Sequence, residues 1–189
     1  MKRLVLIGAL LGGACGSATD DRPPTLDYIT ETILAPSCAS AECHSAFKRE
    51  VGDQFDTPEA ARLTMVANSL VLPADADAPE ASYLVRALTV GALSILDPKS
   101  GDLIRMPYDS PLPDRDIELI KTWISMGSPG AQCVPNDQQQ GCSITAGDNG
   151  APIYKVVQCP DGNIGATITT CARTETCSIF TGNGKCVPQ

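Results

Sequence analysis

Apolar residues recur at helical spacing in four stretches between residues 26 and 130. The pattern predicts helices over about 26–34, 57–68 and 80–88, and a fourth that Asp114 can cap. The apolar stripe of the fourth helix consists of Ile117, Ile120, Trp123 and Ile124. This part of the chain lacks the alternation of apolar and polar residues that is typical of strands, so we expect it to be helical.

Capping residues and prolines suggest where these helices begin and end. Thr57 and Pro58 are typical of a cap and a first helical position. Pro36 is expected to stop the first helix just before Cys38. Gly127 is expected to end the last helix in a left-handed conformation.

The composition changes at about residue 131. The remainder, 131–189, is rich in Gly, Asn, Gln, Thr and Cys, with short β-like pieces at 153–157, 166–170 and 178–181. It contains too few large apolar residues to be held together by burial alone. Its cysteines are Cys133, Cys142, Cys159, Cys171, Cys177 and Cys186. An even set in an exported protein predicts three disulfides, although the sequence does not choose among the pairings.

The amino terminus has the layout of a secretory signal. Residues 1–14 combine a basic start, an apolar run and a small-residue exit. Cys15 then stands where bacterial lipoproteins carry their lipid, and residues 15–25 resemble a flexible tether. Release after Ala14 or Ala18 without lipidation is the alternative. We expect an exported protein that is periplasmic or anchored to the outer membrane.

The chain is acidic, with a formal net charge of −8. Loss of Lys2 and Arg3 with the signal would take this charge to −10. An acidic protein repels nucleic acid and anionic lipid, so we expect no nucleic-acid partner and no membrane contact beyond the lipid anchor. A partner protein with a basic docking face is favoured.

The clearest chemical signal is the segment Cys38-Ala-Ser-Ala-Glu-Cys43-His44, which contains the only histidine of the chain. Cys-x-x-Cys-His is the attachment signature of c-type haem, in which two thiols form thioethers and the imidazole ligates iron. Here four residues separate the thiols. They include neither Pro nor Gly, and can form a turn that brings both sulfurs to one side. The alternative is a small disulfide loop with a surface histidine.

A haem iron held by one histidine needs a second ligand or an open position. Once Met1 leaves with the signal, the available methionines are Met65, Met106 and Met126. Met65 and Met126 fall in predicted helices, where methionine usually fills the core. Met106 precedes Pro107, which favours an extended backbone able to present the thioether. Met106 is therefore the candidate iron ligand, and simple packing is the alternative.

A porphyrin would add apolar bulk to a chain in which aromatic residues make up only 4%. Arg86 and Arg105 are candidates to neutralise its propionates. The alternative is that each is a solvated surface charge. Candidate walls of the haem pocket are Leu72, Leu84, Leu88, Leu103 and Ile104.

The order of these motifs resembles that of class I cytochrome c domains. Cys-x4-Cys-His is followed by Leu-Pro-Ala-Asp, Ser-Tyr-Leu, Met-Pro and Ile-x-x-Ile-x-x-Trp-Ile-x-x-Gly. The longer thiol spacer is similar to that of exported cytochrome-c-like domains of planctomycetes and myxobacteria. The resemblance covers about residues 26–130. It implies an all-α cytochrome c-like domain, followed over 131–189 by a small disulfide-rich module of β or irregular structure.

The resemblance also implies a cofactor and its ligands. One covalent haem c would be attached at Cys38 and Cys43, with His44 and Met106 as the iron ligands. The last helix, with Trp123, would pack across the first. These roles are expectations from the family pattern.

An iron ligated on both sides leaves no room for substrate, so the expected chemistry is one-electron transfer. We therefore expect an exported electron carrier rather than an enzyme. A peroxidase-like enzyme would need an open iron position with acid–base groups beside it. A structural zinc site needs four Cys or His ligands, and only Cys43 and His44 are left outside the expected disulfides. The alternative function is a non-haem cell-surface lipoprotein, a binding module in which Cys38 pairs with Cys43.

Overall fold

The computed structural model describes residues 20–90, 104–108, 110–147, 151–178 and 184–188. The expected signal, Cys15 and Leu103 lie outside these residues. The helices are α1 Leu26–Ile29, α2 Ala35–Cys38, α3 Pro58–Ala67, α4 Tyr83–Thr89 and α5 Asp114–Ser125. The strands are β1 Gln140–Ala146, β2 Pro152–Gln158, β3 Thr167–Thr170, β4 Glu175–Ser178 and β5 Lys185–Pro188. No described helix combines the length and the apolar content needed to cross a bilayer.

The predicted fold class is wrong. We expected an all-α cytochrome c-like domain followed by a small β or irregular module. The chain instead has a mixed architecture, in which short helices are followed by two antiparallel sheets cross-linked by disulfides. The physical reason is that a sequence motif specifies only a few chemical groups, whereas the fold depends on how the whole chain buries its apolar surface.

The first helix does not end at Pro36 as predicted. A π-helical turn, Thr30–Leu34, follows α1, and α2 then continues through Pro36 to Cys38. The amide of Ala39 donates to the carbonyls of Leu34 and Ala35. The wider π turn relieves the clash that a proline ring makes with the preceding helical turn, so the helix runs on. Cys38 therefore lies at a helix end rather than in a loop.

The other helix boundaries mostly follow the predictions. Thr57 caps α3, because its side chain accepts a hydrogen bond of 3.2 Å from the amide of Ala60. Gly127, with φ of +82°, follows α5 in the left-handed region as predicted. Asp114 is not the cap of α5, because Pro113 occupies that position with extended backbone and Asp114 is the first helical residue.

The core is built where the helices meet. Trp123 on α5 is fully buried, and its indole nitrogen donates to the carbonyl of Pro129 over 3.0 Å. Helices α1 and α5 contact each other, and Ile29 and Ile120 are fully buried in the same apolar cluster. This cluster also includes Cys38, so the core supports one wall of the candidate site.

The sheets include two of the three predicted β pieces. β2 covers the predicted segment 153–157, and β3 covers 166–170 except for its first residue, while β1, β4 and β5 were not predicted. Of the third predicted piece, 178–181, only Ser178 belongs to the described residues, at the end of β4. β1, β2 and β3 form one antiparallel sheet, and β4 and β5 form another. β1 was missed because its apolar alternation is weak, with a glycine and a cysteine at its start.

Three disulfides connect this part of the chain, as predicted. They join Cys133 to Cys159, Cys142 to Cys177, and Cys171 to Cys186. Cys177 and Cys186 lie opposite each other in the β4–β5 sheet, but each bonds to a cysteine elsewhere. The bridge from Cys142 to Cys177 links the two sheets directly.

The helical part and the sheets are tied together around residue 130. Arg62 on α3 donates to the carbonyl of Gly130 over 2.6 Å, and the Gly130 amide donates to Asn163 over 2.8 Å. Gly162 has φ of +79°, and a Cβ there would lie 2.2 Å from the carbonyl oxygen of Gly130. Only glycine fits this close backbone approach.

Candidate functional site

The segment from Cys38 to His44 forms a closed turn. The His44 amide donates to the carbonyl of Cys38 over 3.1 Å, and the Cys43 amide donates to the carbonyl of Ser40 over 3.0 Å. The carbonyl of His44 accepts from the amide of Phe55 over 2.8 Å. These bonds fix the His44 backbone on both sides, so the direction of its ring is set by the local fold.

The two cysteines of the turn have different surroundings. Cys38 is buried and lines a cleft, whereas Cys43 is exposed. Both are free thiols in the structure. Burial raises the pKa of the Cys38 thiol to about 12, and the charge of Cys43 acts in the same direction. Cys38 is therefore protonated at neutral pH.

This difference predicts unequal alkylation in the haem-free protein. At pH 8, iodoacetamide should modify Cys43 at least about a hundredfold faster than Cys38, because only the thiolate reacts and Cys38 forms almost none. Mass spectrometry of peptides over a time course measures both rates. In urea, with the disulfides left intact, the two rates should converge. Equal rates in the folded protein would contradict the buried position of Cys38.

His44 lies against an aromatic ring and beside an acid. Its ring meets Phe55 edge to face, with the centroids 5.5 Å apart. Among the described residues, its buried Nδ1 has no hydrogen-bond partner. Burial raises the pKa of the neighbouring Asp53 carboxyl above its usual value. A 2.5 Å hydrogen bond from Asn68 and the charge of His44 lower this pKa, but they only partly offset the effect of burial.

Met106 reaches the same cleft from the far side of the chain. Its amide donates to the carbonyl of Ala87, near the end of α4, over 2.8 Å. Its side chain lines the cleft together with Cys38 and His44. The remaining walls are mostly apolar, with Asp53 as the acidic exception, and comprise Leu34, Val51, Phe55, Leu70, Tyr83, Leu84, Ala87 and Leu88.

The side chains that line this cleft are of the types that bind haem, but the volume of the cleft is too small for it. A thiol, an imidazole and a thioether line one largely apolar space, and these are the groups that c-type haem takes from a protein. The cleft measures only about 60 Å³, much less than a porphyrin occupies. Its walls would have to move apart to admit such a ring. Val51, which lines the cleft and is 64% exposed, marks where it meets solvent.

The other predicted site residues lie elsewhere. Cys43 and the two arginines are not among the described residues that line the cleft. Arg86 is half-buried on α4, and Arg105 is exposed. Of the predicted pocket walls, Leu84 and Leu88 line this cleft, while Leu72 lines a different cavity.

Asp53 and Phe55 were not predicted as site residues. Both lie in a stretch that reads as polar, between His44 and Asp56. Phe47 and Phe55 are the two aromatic residues there, and of the two only Phe55 is buried, so residue type alone did not single it out. Nothing in the spacing indicated that Asp53 would lie near the histidine, because loop geometry sets that distance.

No group of three or more His, Cys, Asp or Glu side chains that could hold a metal ion occurs in the described part of the chain. Comparison with family models, with curated proteins and with solved structures found no match to this chain.

Proposed function

We propose that this protein is an exported electron carrier with one covalently attached haem c. Cys38 and Cys43 are the attachment residues, and His44 and Met106 are the iron ligands. The observation that carries the proposal is that Cys38, His44 and Met106 line one apolar cleft although Met106 is distant in sequence. The Nδ1 of His44 is buried and has no hydrogen-bond partner among the described residues, which supports a role for the imidazole beyond packing.

Each residue of the cleft has a distinct task in this proposal. The hydrogen bonds of the His44 backbone and the edge of Phe55 hold the imidazole in place. The bond from the Met106 amide to Ala87 holds the thioether on the opposite wall. Leu84 and Leu88 keep water away. When bound, a haem with two side-chain ligands supplies one-electron transfer.

The acidic charge supports a partner with a basic docking face. The chain carries −8 overall, and opposite charges steer two redox proteins together. We propose that the carrier is periplasmic or held at the outer membrane through a lipid on Cys15. Nucleic acid is not proposed as a partner.

Covalent haem is tested by export into a periplasm that contains c-type haem attachment machinery. The wild-type chain should stain for haem on a denaturing gel and show a reduced low-spin spectrum. The double variant Cys38→Ser/Cys43→Ser should lose the stain, because both thioether sites are gone. As a matched control, Cys171→Ser/Cys186→Ser also removes two sulfurs, but from a disulfide outside the cleft, and should keep the stain.

A colourless wild-type chain would contradict the proposal, provided that the same cells mature another c-type cytochrome. If its mass then also showed Cys38 bonded to Cys43, the surface binding module would be the better assignment.

A further inference from the structure

A second, larger cavity lies between the helical part and the sheets. It measures about 470 Å³, within the ~300–1,000 Å³ that small-molecule sites usually have. One side comes from the end of α3, the segment that follows it and the turn after α5, and the other mainly from β1, β2, β4 and β5. Ile144 and Tyr154 are register partners on β1 and β2, and both line it.

The lining of this cavity is uncharged. None of the described residues that form it is Asp, Glu, Lys, Arg or His, in a chain with 19% charged residues. A charged ligand would lose its hydration there without gaining a counter-charge. Leu72 and Ile144 line the cavity while 48% and 59% exposed, so a bound apolar molecule would remove their surface from water.

We propose that this cavity binds a neutral, largely apolar small molecule. The volume of about 470 Å³ admits a molecule of two or more rings, and the uncharged lining disfavours ions. The cavity shares no described lining residue with the cleft at His44, so this site stands apart from haem binding.

The test uses 2-naphthol and 2-naphthoate, which share a ring system and differ in charge at pH 7. Fluorescence titration of the full chain should give a Kd of about 0.1–1 mM for 2-naphthol. Binding of 2-naphthoate should be at least about tenfold weaker, since burying an unpaired carboxylate is costly. Backbone amide shifts in NMR spectra should locate the bound naphthol near Ser128 and Ile144.

A charge introduced at the wall should reverse this preference. Ile144→Lys should bind 2-naphthoate roughly fivefold more tightly than the wild type does and 2-naphthol less tightly. The matched control is Ile168→Lys, because Ile168 is exposed on β3 of the same sheet and does not line the cavity.

Three results would overturn the proposal. They are equal affinity for 2-naphthol and 2-naphthoate, no binding of 2-naphthol up to its solubility limit, and the same change of affinities in Ile168→Lys as in Ile144→Lys.

Discussion

Replacing His44 with alanine is expected to remove the low-spin spectrum of the haem-loaded protein while leaving the haem covalently attached. His44 is the only histidine of the chain, so the variant has no other imidazole to ligate the iron. Cys38 and Cys43 are untouched and should still give a haem-stained band. Absorption spectra of the oxidised and reduced protein, together with the stained gel, measure the two effects separately.

The methionine on the opposite wall gives a matched comparison. Met106→Ala should open the iron to carbon monoxide and lower the reduction potential, because a thioether ligand favours the ferrous state. Met126→Ala should do neither, since Met126 is 56% exposed and is not among the described residues of the cleft. An unchanged spectrum in Met106→Ala would show that another residue is the second ligand. A low-spin spectrum that survives His44→Ala would refute the imidazole assignment.

Trp123→Ala is expected to cause the largest loss of stability, about 3–5 kcal/mol in the free energy of unfolding. The indole is fully buried in the core, and its removal leaves a cavity and an unpaired carbonyl at Pro129. Urea unfolding followed by circular dichroism measures the change, because the variant lacks the only tryptophan.

Two control variants separate packing from the hydrogen bond. Trp123→Phe keeps much of the volume and loses the bond to Pro129, so it should cost clearly less than Trp123→Ala. Leu63→Ala, at a position 43% exposed on α3, should cost roughly 1 kcal/mol or less. A loss below about 1 kcal/mol in Trp123→Ala would mean that the helices do not depend on this residue.

The candidate site could be predicted only in part from sequence. Cys38, Cys43 and His44 are adjacent along the chain, and their types indicate their chemistry directly. Met106 could be nominated because the residue before a proline has restricted backbone. Asp53 and Phe55 could not be predicted, because their position beside His44 depends on how the loop from His44 to Asp53 folds back.

For the two predicted arginines, residue type alone was not enough to locate a site. Arg86 and Arg105 were nominated for their charge alone, and neither is among the described residues that line the cleft. Charge type says what a side chain can bind, whereas the backbone around it decides what it can reach.

By itself, the sequence determined the local features of this protein. Helical periodicity located α3, α4 and α5, and the even set of cysteines predicted the three disulfides. These features depend on neighbouring residues or on counting, so they can be read along the chain.

Only the tertiary structure decided the mixed fold, the disulfide pairing and the two cavities. The close approach of Gly162 to Gly130 arises from packing between segments distant in sequence. Such contacts depend on how the whole chain buries its apolar surface, which no local sequence pattern specifies.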